Sequence, residues 1–348
     1  MSGFKIGERL VNDDEAPYVI AELSGNHKGD IERAFAIMEA AKEAGADAVK
    51  LQTYTADTLT IDHDGPGFII EGGLWDGRRL YELYEEAHTP RDWHPALFEK
   101  GRELGITVFS SPFDETAVDF LEGLNCPAYK VASFEAADLA LIRKVAATGK
   151  PLIISTGMIS EAEIEETLAV AKEAGARDIA LLHCVSSYPA QPQDSNLQTI
   201  PRLAAAYDVI AGLSDHTLGT SVAVAAVALG ANIIEKHFTR DRSEGGPDAT
   251  FSMEPPEFKT LVEDCRTAWD ALGDVKIGRQ DAARSSVVFR RSLYVVKDMK
   301  KGDTFAPANI RSIRPGYGLE PKHIEDIFGC ISTKDIPRGT PLKWDLVK

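Results

Sequence analysis

Eight short apolar runs, spaced by amphipathic stretches, dominate the first 272 residues. They are YVIAEL from Tyr18, AVKLQT from Ala48, ITVFSS from Ile106, AYKVAS from Ala128, PLIIST from Pro151, IALLHC from Ile179, VIAGLS from Val209 and IIEKHF from Ile233. Each is about six residues long, the usual length of a buried strand. Between them lie patterns such as IERAFAIMEAAKEAGA, with apolar residues at i, i+3 and i+4 and a closing Gly; KEAGA recurs at Lys172–Ala176. Eight strand–helix repeats in one run predict an α/β fold, a (β/α)8 TIM barrel. A doubly wound sheet fits less well, because no GxGxxG follows the first run.

One segment breaks the rhythm. Residues 54–90, with GGLWDGRRLYELYEEAHTP, form a long insert between the second and third runs. Loops this long are commonly functional or carry a helix of their own, here expected at RRLYELYEEA. A loop after a barrel strand lies at the catalytic face, so the insert is expected to border the substrate pocket. After Leu272 the pattern changes again. The expected division is a barrel over 1–272, a polar linker over 273–288 and a small, mostly β module over 289–348. Two related turns, DMKKGD and DIPRGT, suggest internal similarity within that module.

Composition narrows the function. With 38 basic and 54 acidic residues the net charge is −16, which disfavours phosphate backbones and hence nucleic acid. No run of about 18 apolar residues offers a membrane span. MSGFKIGERL has no apolar signal core, and Cys126, Cys184, Cys265 and Cys330 are scattered without a CxxC pair. A reduced, cytoplasmic location is the expectation.

Alternation along each barrel strand, with sites at strand C-terminal ends, selects the candidates. Glu22 ends the first strand; Lys50 and Gln52 share a face of the second; Ser111 ends the third. Lys130 lies in the fourth, with Ser133 and Glu135 beyond it, and Ser155 ends the fifth. Cys184 and Ser186 mark the sixth, Ser214 and His216 share a face at the seventh, and Glu235 and His237 share one at the eighth. Two lysines with a ring of serines suit a phosphate or carboxylate. The alternatives are that each lysine neutralises a carboxylate, or that one forms a Schiff base. His216 and His237, with Glu22 or Glu235 nearby, suit a divalent metal with open positions. Lys236 falls on the opposite face and reads as structural. His27 is a candidate rim residue; His63, His88, His94 and His323 read as surface, and His183 as facing the helices. These residues allow phosphoenolpyruvate-dependent carbon–carbon bond formation, a metal-dependent aldolase, or a non-catalytic sugar-phosphate sensor.

The segments IAELSGNHKGD, ADAVKLQTYT, FSSPFD, AYKVASFE, IISTGM, HCVSSYPA, GLSDHT, IEKHFT and GGPDATFSM resemble the sialic acid synthase family in order and along nearly the whole chain. RPGYGL and its flanks are similar to that family's antifreeze-like (SAF) module. The resemblance implies condensation of phosphoenolpyruvate with an acetamido sugar and release of phosphate, with Mn2+ or Mg2+ as cofactor. The insert, TYTADTLT and KVASFE are most similar to the branch whose sugar is 2,4-diacetamido-2,4,6-trideoxy-β-L-altropyranose. HCVSSYPA, with His183, also suits legionaminate, N-acetylneuraminate and spore-coat relatives. Carried over, the resemblance gives Lys50, Ser111, Lys130, Ser133, Ser155, Ser186 and Ser214 to phosphoenolpyruvate, though the neuraminate branch has asparagine at the position of Ser186. It gives His216 and His237 to the metal, and Glu22, Gln52, Glu135, Tyr188 and Asp248 to the sugar. Glu22 or Glu135 would transfer the proton. Arg314 would reach a partner's barrel in a domain-swapped homodimer.

Overall fold

A computed structural model describes residues 3–348. The chain divides into two compact units, Met1–Gly273 and Asp274–Lys348. The first opens with a hairpin of β1 (Phe4–Ile6) and β2 (Arg9–Val11). Eight parallel strands follow: β3 (Tyr18–Glu22), β4 (Ala48–Thr53), β5 (Thr107–Pro112), β6 (Tyr129–Val131), β7 (Leu152–Ser155), β8 (Ile179–Cys184), β9 (Ile210–Asp215) and β10 (Ile233–His237). They close in sequence order, β10 pairing back onto β3, so the TIM barrel is the observed architecture. β3, β9 and β10 are buried at every position, as strands covered on both faces must be.

Local chemistry sets the helix ends. Asp30 caps the helix Ile31–Glu43 by accepting from the Glu32 amide. The two EAGA endings place Gly45 and Gly175 at φ +92° and +109°, where a β-carbon would be strained. The hairpin was not foreseen, since three-residue strands carry too little periodicity. It covers the N-terminal end of the barrel. Phe4, Ile6 and Val11 join the main core, and Asn232, just before β10, donates to the Asn12 carbonyl.

The insert carries the expected helix, Leu80–Ala87, and a shorter one, Ala56–Leu59. His94 departs from the surface reading. It is fully buried, with Nε2 2.8 Å from Thr53 Oγ1 and Nδ1 3.1 Å from the Pro90 carbonyl. His27 likewise is no rim residue. It is buried, with Nε2 3.2 Å from Thr89 Oγ1. Burial pushes both imidazoles down to about 4, so both are neutral at physiological pH. These two histidines fasten the returning end of the insert to the barrel.

The second unit pairs β11 (Ser292–Val295) with β12 (Ile310–Ile313) around its own apolar core. Its two related turns meet face to face. Met299 N donates to the Ile336 carbonyl at 2.9 Å and Ile336 N returns a bond to the Met299 carbonyl at 2.8 Å. Asp298 accepts from the Arg338 amide at 2.7 Å, and Asp335 from the Lys301 amide at 2.9 Å. Equivalent residues of the two turns thus exchange equivalent bonds about a local two-fold axis. Met299 and Ile336 are both buried there. Truncating either to alanine should cost about 2–5 kcal/mol. The double variant should cost less than the sum, because the two share one packing site. Hydrogen exchange of this unit's amides in the full chain measures both.

Candidate active site

Barrel register gathers the charged residues. Glu22 lies opposite Lys50 on one side and His237 on the other. Ser214 lies opposite both Cys184 and Glu235. Inward-facing side chains from neighbouring strands therefore meet at the C-terminal end of the barrel. They line a cavity of about 390 Å³ walled by Lys50, Gln52, Lys130, Ser133, Glu135, Ser155, Tyr188, Ser214, His216, His237 and Asp248.

The floor is a buried ionic cluster. Lys50 Nζ is 2.6 Å from Glu22 Oε2 and 3.6 Å from Glu235 Oε1; Lys130 Nζ is 3.7 Å from the same Glu235 oxygen. Burial opposes the charge of Lys50, but Glu22 and Glu235 outweigh it and the net shift is upward. Lys130 moves downward, because burial and the Lys50 charge exceed the attraction of Glu235. Each lysine therefore has a carboxylate neighbour, as the neutralisation reading expects. Both lysines nonetheless face the cavity, where an arriving anion would meet them.

Several buried polar atoms around this cavity have no hydrogen-bond partner: Ser155 Oγ, Glu135 Oε2, Glu235 Oε2 and His237 Nδ1. Such atoms are costly unless something binds them. Glu135 is the most suggestive. Burial raises its carboxyl to about 7, so it exchanges a proton near neutrality.

The imidazoles fit a metal site with two protein ligands. His216 Nδ1 donates to the Val185 carbonyl at 2.9 Å, which fixes the tautomer and leaves Nε2 bare. Burial and nearby positive groups hold His237 neutral, its pKa well below the ordinary value. The two rings are 5.4 Å apart, and Asp248 Oδ2 is 3.7 Å from His237 Nδ1. Among the described residues no cluster of three or more His, Cys, Asp or Glu forms a complete metal cage. Remaining positions would belong to water or substrate.

Four expected residues stand elsewhere than on the wall. Glu22 and Ser111 lie behind Lys50, Ser111 accepting from its Nζ at 3.2 Å. Ser186 sits beside Cys184, its Oγ 3.8 Å from Sγ. Arg314 belongs to the second unit, just after β12. Gln52 does face the cavity and donates to Glu22 Oε1 at 2.8 Å. Asp248 accepts from the Ser24 hydroxyl. Sequence reasoning missed Tyr54, Trp75, Tyr84 and Phe113, an aromatic wall from the insert and the end of β5. Trp75, in an otherwise polar glycine-rich stretch, was the available signal.

Lys236 is structural, as its face predicts. Its Nζ donates to Asp215 Oδ2 at 2.7 Å and to the Thr217 carbonyl at 2.6 Å, on the helix side of the barrel. Asp215 Oδ1 also accepts from the Thr217 amide and hydroxyl. This network ties together the strand ends that carry His216 and His237.

A profile of the NeuB family matches residues 37–277, well over half of the chain. The chain belongs to the NeuB family. A SAF domain profile matches residues 290–348. The chain is similar to the pseudaminic acid synthase of Campylobacter jejuni subsp. jejuni serotype O:23/36 (strain 81-176), with 47% identity over 95% of this chain and 97% of that one. It is 43% identical to the pseudaminic acid synthase of Helicobacter pylori (strain ATCC 700392 / 26695), over 95% of this chain and 98% of the relative. Among solved structures it resembles the N-acetylneuraminic acid synthetase of Leptospira borgpetersenii serovar Hardjo-bovis, in complex with citrate. That match has a TM-score of 0.74 and 30% identity, covering 82% of this chain and 95% of the other.

Removing one member of the Lys236–Asp215 pair leaves a buried charge without its partner. Lys236→Met should therefore destabilise the barrel by about 3–5 kcal/mol, and Lys236→Met with Asp215→Leu should recover much of that loss. Denaturant unfolding of the three proteins decides it, and equal stability of the single and double variants would contradict it.

Proposed function

We propose that the chain condenses phosphoenolpyruvate with 2,4-diacetamido-2,4,6-trideoxy-β-L-altropyranose and water, giving pseudaminic acid and phosphate. The observation that carries this is the near full-length match to pseudaminic acid synthases on a barrel whose cavity has two buried lysines on its floor. Lys50, Lys130 and Ser155 hold the phosphate and carboxylate; Ser133 and Ser214 complete the ring. His216 and His237 would hold a divalent cation, which supplies polarisation of the sugar aldehyde. Gln52, Tyr188 and Asp248 orient the open-chain sugar so that its C1 faces C3 of the enol.

The bond forms between those two carbons, and the aldehyde oxygen takes a proton from Glu135. Water adds at C2 of the former enol and returns a proton to the Glu135 carboxylate; the tetrahedral adduct then collapses to the ketone as its C2–O bond to phosphate breaks, the hydroxyl proton leaving with the phosphate. Glu135 is assigned the proton because its carboxyl stands on the cavity wall and titrates near neutrality, whereas Glu22 is engaged with Lys50 behind it.

The test is phosphate release from phosphoenolpyruvate in the presence of the altrose-type sugar and Mn2+ or Mg2+. Release that needs N-acetylmannosamine instead would overturn the substrate, and release that survives stringent chelation would remove the cation from the reaction. The pH profile tests Glu135. A donor with a pKa of about 7 is loaded below that pH, so kcat should fall as pH rises through it. Glu135→Gln should lose about 10²–10⁴ in kcat and flatten that limb. A profile unchanged in shape would exclude Glu135 as the donor.

A further inference from the structure

The cavity has two chemistries. Its floor carries the lysines, carboxylates and imidazoles; its outer wall, supplied by the insert between β4 and β5, carries Leu59, Ile70, Trp75, Leu80, Leu83 and Tyr84. Charges of the insert pair with one another instead. Arg78 bonds Glu86 at 2.6 Å and Arg79 bonds Glu82 at 3.0 Å. Trp75 is held at two edges. Its Nε1 donates to the Pro247 carbonyl at 3.0 Å, and its ring lies 5.7 Å from that of Tyr188. Tyr188 in turn lies 4.5 Å from the His216 ring. The indole is thus an apolar plate one ring beyond the imidazole pair, and its N–H is already spent on Pro247.

We propose that this wall, with Trp75 at its centre, is the specificity element that reads the C4–C6 end of the sugar, favouring a C6 methyl and a C4 acetamido group over hydroxyls. The inference rests on the reaction proposed above, and it follows from how an open-chain sugar must lie. Its C1 reacts beside the imidazoles and lysines, so the far end of the chain points out toward the insert. A methyl there leaves water for an apolar surface. A C6 hydroxyl there gives up its water against a surface that is mostly leucine and isoleucine, beside an indole N–H that is already bonded. The side-chain hydroxyls that belong to this wall, those of Tyr54 and Tyr84, suit the amide of an acetamido group.

Two sugars of the same stereochemistry separate the terms: 2,4-diacetamido-2,4,6-trideoxy-L-altrose and 2-acetamido-2-deoxy-L-altrose, which has hydroxyls at C4 and C6. Isothermal titration of the full chain gives a Kd for each, independently of turnover. The unmodified chain should prefer the first by about 10–200-fold, the range open to an apolar pocket. Trp75→Ala should reduce that ratio by about tenfold or more, whereas Trp75→Phe should keep most of it. Should Trp75→Ala prove unfolded by circular dichroism, Ile70→Ala carries the same expectation with a smaller loss. Equal affinity of the unmodified chain for both sugars, or variants that weaken both in proportion, would overturn the inference. Failure of the reaction itself is read separately. A preserved Kd ratio without phosphate release would reject the proposed chemistry and leave the wall's selectivity standing.

Discussion

Everything at the mouth of this barrel depends on Glu235. It is buried between Lys50 and Lys130, 3.6 and 3.7 Å from their ammonium groups, and without it two buried positive charges would lie together with only Glu22 beside them. With Glu22 on the far side of Lys50, the cluster balances while remaining open toward the cavity. Its weakest tie is Lys130, which has burial against it and a single carboxylate at 3.7 Å. An anion entering the cavity supplies the interaction that this lysine lacks. Lys130 is thus the less fully paired of the two buried lysines, and in the proposed reaction that leaves it for the anionic substrate.

Period two on β9 and β10 builds a second buried ionic system on the opposite face of the same strands. Glu235 and His237 point inward, while Lys236 between them points outward to Asp215, the neighbour of His216. A shift of one residue in β10 would put Lys236 in the cavity and the His237 imidazole against helices, and a shift in β9 would turn Asp215 inward and His216 outward. The external pair therefore acts as a register lock for the internal site. One ionic system faces the helices and the other faces the cavity, and strand alternation keeps them apart.

That alternation is also why so much was legible in the sequence. Buried strands of three to six residues, each followed by a helix, leave little freedom in topology, and a barrel fixes which end carries the site. Lys50, Lys130, Ser155, Ser214, His216 and His237 could be placed together from period two alone. What escaped lies outside periodic structure. The β1–β2 hairpin is too short to show a pattern. His27 and His94 are buried because the insert folds back over them, and a long-range contact leaves no mark in local spacing. Glu22 shares the strand end with the other candidates, yet its ion pair with Lys50 draws it behind the wall. The aromatic wall of the insert follows from tertiary folding of a glycine-rich loop, which has no period to read.

Floor and wall of the cavity are built by different parts of the fold. Floor residues sit on strands each paired on both sides within a closed barrel, so a substitution there disturbs the pairing of several charges at once. The insert is tied to the barrel at defined points: Thr89 and Pro90 by the two neutral histidines, and Trp75 by the Pro247 carbonyl. Between those points its side chains can change without altering any strand pair. In the proposed reaction, chemistry and substrate choice would therefore be held by separate parts of the fold: the anionic partner where the backbone is most constrained, and the far end of the sugar where it is least constrained.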